Sequence, residues 1–324
     1  MLKTGNAETE RGAPSMKLIF LGTVAGSPNR ERNVSSLALQ LYEERGSFWL
    51  FDCGEGTQHR LLELPLKLSR LEFIFITHLH GDHLYGLPGL MTSRSYQDGK
   101  QPLTLFGPSG LRRFLDTAFE LSQAHLEYEW NVVENREGII YEDDRFVVEA
   151  AQLEHRVECW GYRITERDLP GKLHVEKLLA RGVQPGPIYA RIKNGENVTL
   201  DDGTVLNASE FVGPPIPGRV ITILGDTRVC AAGERLAQGA DVLVHEATFA
   251  HDLADLAHKY YHSTARQAAE LASRCGVKQL LLTHISSRYP GDHALRLQEE
   301  ARQYHANSWV VHDFDNISVD RKTV

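Results

Sequence analysis

His78, His80, Asp82 and His83 fall within six residues, with Gly81 among them. Imidazole and carboxylate are the ligands that a borderline-soft divalent cation takes, zinc before others. His78 and His80 stand two apart in an extended or turning segment, so their rings can project to the same side. Gly81 permits a backbone turn that lets Asp82 and His83 face a second point in space. Four ligand types so close exceed what one tetrahedral ion takes from one loop, which predicts two ions side by side.

Other ligand-capable side chains recur at the ends of apolar runs: Gln152 to His155, Leu224 to Asp226 and Leu282 to His284, like Ile76 to His78. Functional groups in sheets of this sort gather where strands end in loops. The inventory suits one ion on His78, His80 and His155 and another on Asp82, His83 and His284, with the two oxygens of Asp226 bridging them. Two cations roughly 3.5–4 Å apart lower the pKa of a water held between them and neutralise charge on a phosphoryl or acyl oxygen. Asp82 could also accept that water's proton.

The elements that must position these groups can be read along the chain. Phe73 to Ile76 is an apolar, β-branched and aromatic run expected to be a buried strand leading into the histidines. Strands are also expected at 17–22, 37–42, 48–52, 103–106, 147–152, 159–164, 219–227, 241–248, 278–286 and 309–319. Helices are expected after Gly56, from Pro88 toward Arg94, over 109–122, and after His262, with Ser263 or Thr264 as cap. The mixture is an α/β pattern without the glycine fingerprint of a dinucleotide fold. His59, on the first helix, reads as a surface or packed histidine.

Residues 165–219 break the rhythm with Pro170, Pro185, Pro187, Pro214, Pro215 and Pro217 among short glycine-punctuated pieces. Such a stretch inside a compact domain is usually functional or mobile. Its first part carries Lys172, Lys177, Arg181, Arg191 and Lys193 against the single acid Glu176. Charge runs of this kind more often solvate a surface than bind a partner.

At 324 residues the chain can bury a large core, and its formal net charge of −8 excludes a globally basic nucleic-acid binder while allowing a local basic patch. No apolar run is long enough to span a bilayer. Residues 1–15 lack the apolar stretch of a secretory signal and read as a mobile tail before a domain at 16–324. Cys53, Cys159, Cys230 and Cys275 form no close pair, which fits free thiols in a reducing compartment, so a cytoplasmic location is expected.

The His-x-His-x-Asp-His run, with His155, Asp226 and His284, resembles the metallo-β-lactamase superfamily, which implies an αββα sandwich with the metals at one edge. Within it the chain resembles the tRNase Z family from Met16 to about Val319. The Pro28-Asn29-Arg30-Glu31-Arg32-Asn33 loop, His245-Glu246-Ala247-Thr248 and His262-Ser263-Thr264 carry that resemblance. It implies a zinc-dependent endonuclease that removes the 3′ trailer of precursor tRNA after the discriminator nucleotide. The products would be a tRNA 3′-hydroxyl and a trailer 5′-phosphate. Two Zn²⁺ are implied, although Mn²⁺ suits the same ligands. His262, oriented by Glu246, would protonate the departing O3′, where a helix cap is the plain structural reading. The loop with Arg30, Arg32 and Asn33 would screen the acceptor-stem end; Arg30 replaces a common lysine there, and the two are not interchangeable at a phosphate.

The resemblance also makes 165–219 an inserted flexible arm, or exosite. Gly186-Pro187, Lys172, Lys177, Arg181, Arg191 and Lys193 would then meet the tRNA, in a homodimer whose arms clamp substrate across subunits. A second reading is a hydrolase of small esters on the same scaffold: a thioesterase, lactamase or sulfatase. A third is a catalytically silent RNA-binding protein, which requires a missing ligand; none of the seven is missing.

Overall fold

The computed structural model describes residues 16–321, so the expected tail at 1–15 lies outside the described residues. Two seven-stranded sheets form the framework. The first runs Asn316–Val319, Met16–Gly22, Ser36–Leu41, Ser47–Phe51, Leu71–Phe75, Leu103–Gly107 and Trp130–Glu134. The second runs Ser308–Val310, Gln279–Thr283, Val242–Glu246, Val220–Leu224, Cys159–Glu166, Phe146–Leu153 and Gly138–Glu142.

The layering follows from the two-residue period of a strand. Along the first strand Leu18 and Phe20 enter one core and Ile19 and Leu21 another. In the second sheet Leu281 enters the core it shares with Leu18 and Phe20, and Leu280 and Leu282 turn the opposite way. The shared core therefore lies between the sheets, where Phe51 and Phe75 stack at 4.8 Å and Phe75 and Phe106 at 4.9 Å. Outside the first sheet lie the helices Thr57–Leu62, Leu87–Tyr96 and Leu111–Ser122, and outside the second Ala231–Ala237, Ala265–Arg274 and Leu295–Arg302. This is the expected αββα sandwich. Strands covered on both faces lose polar alternation, which is why these read as continuous apolar runs.

The expected strands and helices are present with ends moved by a few residues. Thr264, rather than Ser263, caps Ala265–Arg274, its hydroxyl accepting from Gln267 N–H while the Gln267 side chain returns to Thr264 N–H. Trp130–Glu134 and Gly138–Glu142 were not expected. They are the edge strands of the two sheets, half-exposed and mixed in polarity, with little apolar pattern to mark them.

The stretch at 165–219 is a small lobe with its own core. Helices Val175–Ala180, Pro187–Lys193 and Ala208–Phe211 and a hairpin of Val198–Thr199 with Val205–Leu206 gather around Leu178, Ile192 and Phe211. Its two feet meet where Glu166 N–H donates to Arg219 O at 2.8 Å. Beneath them the buried Arg219 guanidinium pairs with Glu166 at 2.8 Å and with Glu44 at 2.7 Å, and donates to Val319 O at 3.1 Å. Arg321 reaches the same Glu166 at 2.6 Å. Burial works against the charge on Glu166, but Arg219 and Arg321 more than offset it and lower its pKa. One network thus ties the lobe's base to the hairpin turn at Glu44 and to the last strand.

Breaking one partner of a buried pair strands the other charge. Arg219→Met should lower unfolding free energy by roughly 3–5 kcal/mol, whereas removing the helix cap with Thr264→Ala should cost about 1 kcal/mol. Urea unfolding followed by circular dichroism measures both; equal losses would show that the network contributes no more than a cap.

Candidate metal centre

The seven expected ligand candidates come together at one end of the sandwich, where strands of both sheets run out. The strand Leu71–Phe75 delivers His78 and His80, and the short helix Gly81–Leu84 delivers Asp82 and His83. His155 follows Phe146–Leu153, Asp226 follows Val220–Leu224, and His284 follows Gln279–Thr283. Close approach is built into the backbone: a Cβ at Gly225 would lie 2.6 Å from Cys159 Sγ and 2.7 Å from Thr77 Cβ. His284, Asp52 and Tyr261 hold positive φ values of 55°, 56° and 64°. Left-handed backbone is unfavourable for non-glycine residues and tends to cluster at functional sites.

Ligand atoms around a tetrahedral ion at about 2.0–2.1 Å stand roughly 3.3 Å from one another. His78 Nε2 lies 3.0 Å from His80 Nδ1, which lies 3.4 Å from His155 Nε2; His78 Nε2 is 3.8 Å from Asp226 Oδ2. A second group has the same dimensions. Asp82 Oδ2 stands 3.6 Å from His83 Nε2 and 3.4 Å from His284 Nε2. Asp226 joins this group too, its Oδ1 3.6 Å from His83 Nε2 and its Oδ2 3.3 Å from His284 Nε2. The buried Nε2 of His83 has no hydrogen-bond partner within the protein. A buried imidazole nitrogen left without a hydrogen-bond partner among carboxylates fits a cation better than it fits a polar packing role. Two ions of the expected kind therefore fit the residues present.

Burial lowers the pKa of His78, and the neighbouring histidine His83 lowers it further; burial likewise lowers His80 and His155. These rings are neutral and ready to ligate at neutral pH. His83 behaves oppositely: burial depresses it, but Asp226, Asp52 and Asp82 more than offset that and raise it to about 10. Asp82 is held well below the usual carboxylate range, since His284, His83 and the Gly26 N–H (2.8 Å) outweigh its burial.

Beside the seven, His262 Nδ1 lies 2.8 Å from Glu246 Oε1, the last residue of Val242–Glu246. Burial opposes charge on His262, but Glu246 and Asp226 raise it to about 9; Glu246 itself is drawn down to about 2, against its burial, by His262 and His284. Sequence reasoning missed Asp52. It is buried, its Oδ2 lies 2.7 Å from His83 Nδ1, and it fixes the Thr77 backbone N–H through Oδ1 at 2.7 Å. It ends the apolar run Phe48 to Phe51, the same strand-end position that marked the other candidates.

The expected substrate contacts divide. Arg30 is exposed at the tip of its loop. Arg32 and Asn33 are buried, contrary to their expected place at a substrate-facing tip. Arg32 donates to Thr23 Oγ1 and Val311 O, and Asn33 donates to Glu55 O and to Asp313, so both pin the loop to the body. On the lobe, Lys172, Lys177, Arg181, Gly186, Pro187, Arg191 and Lys193 are exposed, far along the chain from the ligands. Arg191 pairs with Glu196 and Arg181 lies 3.6 Å from Glu210, so acids beyond the counted Glu176 temper the basic run.

Residues 16–158 match the family described as anti-Pycsar protein Apyc1, and residues 184–285 match the β-lactamase superfamily domain. The chain is 57% identical over 306 residues to the ribonuclease Z of Geobacillus kaustophilus, covering 94% of this chain and 100% of the relative. It is 54% identical over 307 residues to the ribonuclease Z of Bacillus cereus, with the same coverage. Among solved structures it is similar to the short form of human tRNase Z, with TM-score 0.69 and 31% identity over 94% of this chain and 100% of that one. The metallo-β-lactamase-fold protein YhfI of Bacillus subtilis, 16% identical with TM-score 0.65 over 94% of this chain and 100% of that one, shares the fold.

Because His83 is raised to about 10, its proton must leave before a cation can bind there. Zn²⁺ affinity of the Asp82–His83–His284 group should therefore rise about tenfold per pH unit between about pH 6 and 8, with one proton released. Calorimetry in buffers of different ionisation enthalpy counts that proton; an affinity independent of pH would remove His83 from the ligand set. In the metal-free protein the sign is reversed. The stability lent by charged His83 is complete below pH 6.5 and is lost as pH rises through about 10.

Proposed function

The chain belongs to the ribonuclease Z family and is a tRNA 3′-processing endoribonuclease, and we propose that it cuts precursor tRNA after the discriminator nucleotide at the paired histidine–carboxylate centre. The observation that carries the proposal is two ligand groups of tetrahedral dimensions sharing Asp226, with a charged His262 beside them. His78, His80 and His155 would hold one Zn²⁺ and Asp82, His83 and His284 the other. Bound there, the cations would supply positive charge to acidify the attacking water and to stabilise charge developing on the phosphoryl oxygens.

The protein's own groups do the rest. Asp82, fixed by the Gly26 N–H, holds and orients the attacking water; its depressed pKa makes it a weak base, so positioning is its larger contribution. Glu246 keeps His262 protonated and fixes its Nδ1, leaving Nε2 to deliver a proton to the departing O3′. That leaves a 3′-hydroxyl on the tRNA and a 5′-phosphate on the trailer. Arg30, exposed on the loop whose backbone touches Asp82, would meet the acceptor-stem end.

Binding is assigned to the lobe at 165–219. Its exposed Lys172, Lys177, Arg181, Arg191 and Lys193, with Gly186-Pro187, offer cations to phosphates on a chain whose net charge of −8 is otherwise repulsive. We infer a homodimer in which each lobe serves the partner's centre. Support comes from Leu62 and Tyr96, 70% and 85% exposed at the ends of two helices that pack together. No helix among the described residues is long and apolar enough to cross a membrane, and a cytoplasmic site of action suits a tRNA substrate.

His262→Ala should slow precursor-tRNA cleavage by about 10²–10⁴-fold while largely sparing bis(p-nitrophenyl) phosphate, whose leaving group needs no proton. Parallel losses on both substrates would assign His262 another role. Replacing Lys172 and Lys193 with alanine should raise KM for precursor tRNA and lower the slope of log affinity against log salt by about 1 for each phosphate no longer met. Unchanged salt dependence would take the lobe out of phosphate binding. Leu62→Asp should halve the mass seen by light scattering; a wild-type monomer would end the dimer proposal.

A further inference from the structure

Two buried threonines in the centre each stand between a carboxylate and a histidine. Thr77 Oγ1 is 2.9 Å from Asp52 Oδ2 and 2.9 Å from His78 Nδ1. Thr248 Oγ1 is 2.6 Å from Glu246 Oε2 and 2.9 Å from His284 Nδ1. Each carboxylate also takes a second histidine directly: Asp52 takes His83 Nδ1 at 2.7 Å, and Glu246 takes His262 Nδ1 at 2.8 Å. The two assemblies lie at the ends of strands in opposite sheets, Ser47–Phe51 and Val242–Glu246. In each, one carboxylate serves one histidine directly and one through a hydroxyl.

A hydroxyl has one proton to give, and an ionised carboxylate only accepts. Each threonine must therefore donate to its carboxylate; turning the proton to the histidine would leave two oxygen lone pairs facing each other at 2.6–2.9 Å in a buried site. Only lone pairs then remain toward the imidazole, so Nδ1 of His78 and of His284 must carry hydrogen, which leaves Nε2 as the nitrogen available to a cation. In both rings Nε2 faces the ligand groups, 3.8 Å and 3.3 Å from Asp226 Oδ2.

We propose that Thr77 and Thr248 are positioning residues that lock His78 and His284 in the Nδ1-protonated tautomer, so that one proton arrangement, set by two buried carboxylates, prepares the centre for metal. The inference rests on the reading of His78 and His284 as ligands. Outer hydrogen bonds of this kind typically change metal affinity by about 10–100-fold when removed. Valine copies the shape of threonine without the hydroxyl, and serine keeps the hydroxyl without the methyl.

The test uses the full chain labelled with ¹⁵N-histidine and stripped of metal, with imidazole tautomers read from two-bond ¹H–¹⁵N correlations. In the wild type, Nδ1 of both rings carries hydrogen; a bare Nδ1 on either overturns the proposal with no variant needed. Thr77→Val and Thr248→Val are expected to lose that pattern at the adjacent histidine and to bind Zn²⁺ about 10–100-fold more weakly against a chromophoric chelator. The serine variants should match the wild type in both measurements. Valine variants with wild-type tautomers and affinity, or serine variants as impaired as valine, would show that packing and not the hydroxyl matters. A wild-type protein that binds no Zn²⁺ would instead sink the ligand reading itself.

Discussion

Gathering five imidazoles and two carboxylates at one point is the constraint on which this molecule is built. Desolvation penalises every charge brought there, and like-charged rings repel. The carboxylates answer this in part: Asp226 faces both histidine groups, and Asp52 and Glu246 hold rings from behind. A cation would complete the balance, since it needs neutral imidazole and ionised carboxylate together. The sandwich supplies the rigidity. Strands from both sheets, locked by a shared aromatic and aliphatic core, end at the same edge, and the candidate ligands follow their last residues.

From that constraint the chemistry of tRNA 3′ processing follows with few further parts. The ligand groups stand beside a charged histidine held by a buried glutamate. Phosphodiester cleavage needs an acidified water, a sink for negative charge and a proton for the leaving oxygen, and the proposed roles answer each need. The basic side chains stand on a lobe with its own core, away from the low-dielectric interior where their charges would be costly.

Much of this was legible in the chain. Apolar strands running into His78, Asp226 and His284 announce themselves because buried strands are continuous and ligands sit where they stop. The half-exposed strands Trp130–Glu134 and Gly138–Glu142 leave no such trace, because an edge strand shares its composition with a loop. Asp52, Thr77 and Thr248 were harder for another reason. An outer residue acts by one hydrogen bond, which depends on three-dimensional register and imposes no spacing on the sequence. Arg32 and Asn33 misled in the opposite sense: a polar loop looks solvent-facing, but here Thr23, Glu55, Val311 and Asp313 offer buried partners that draw both inward.

The feet of the lobe govern how freely the insert can change. Because Glu166 and Arg219 are hydrogen-bonded neighbours, everything between them leaves and re-enters the sandwich through a single doorway. Lengthening, shortening or exchanging that insert changes the closure entropy only logarithmically and disturbs no ladder of the sheets. The insert can therefore vary while the edge that gathers the histidines and carboxylates stays intact, the one requirement being that the buried arginine at the threshold keeps its glutamates.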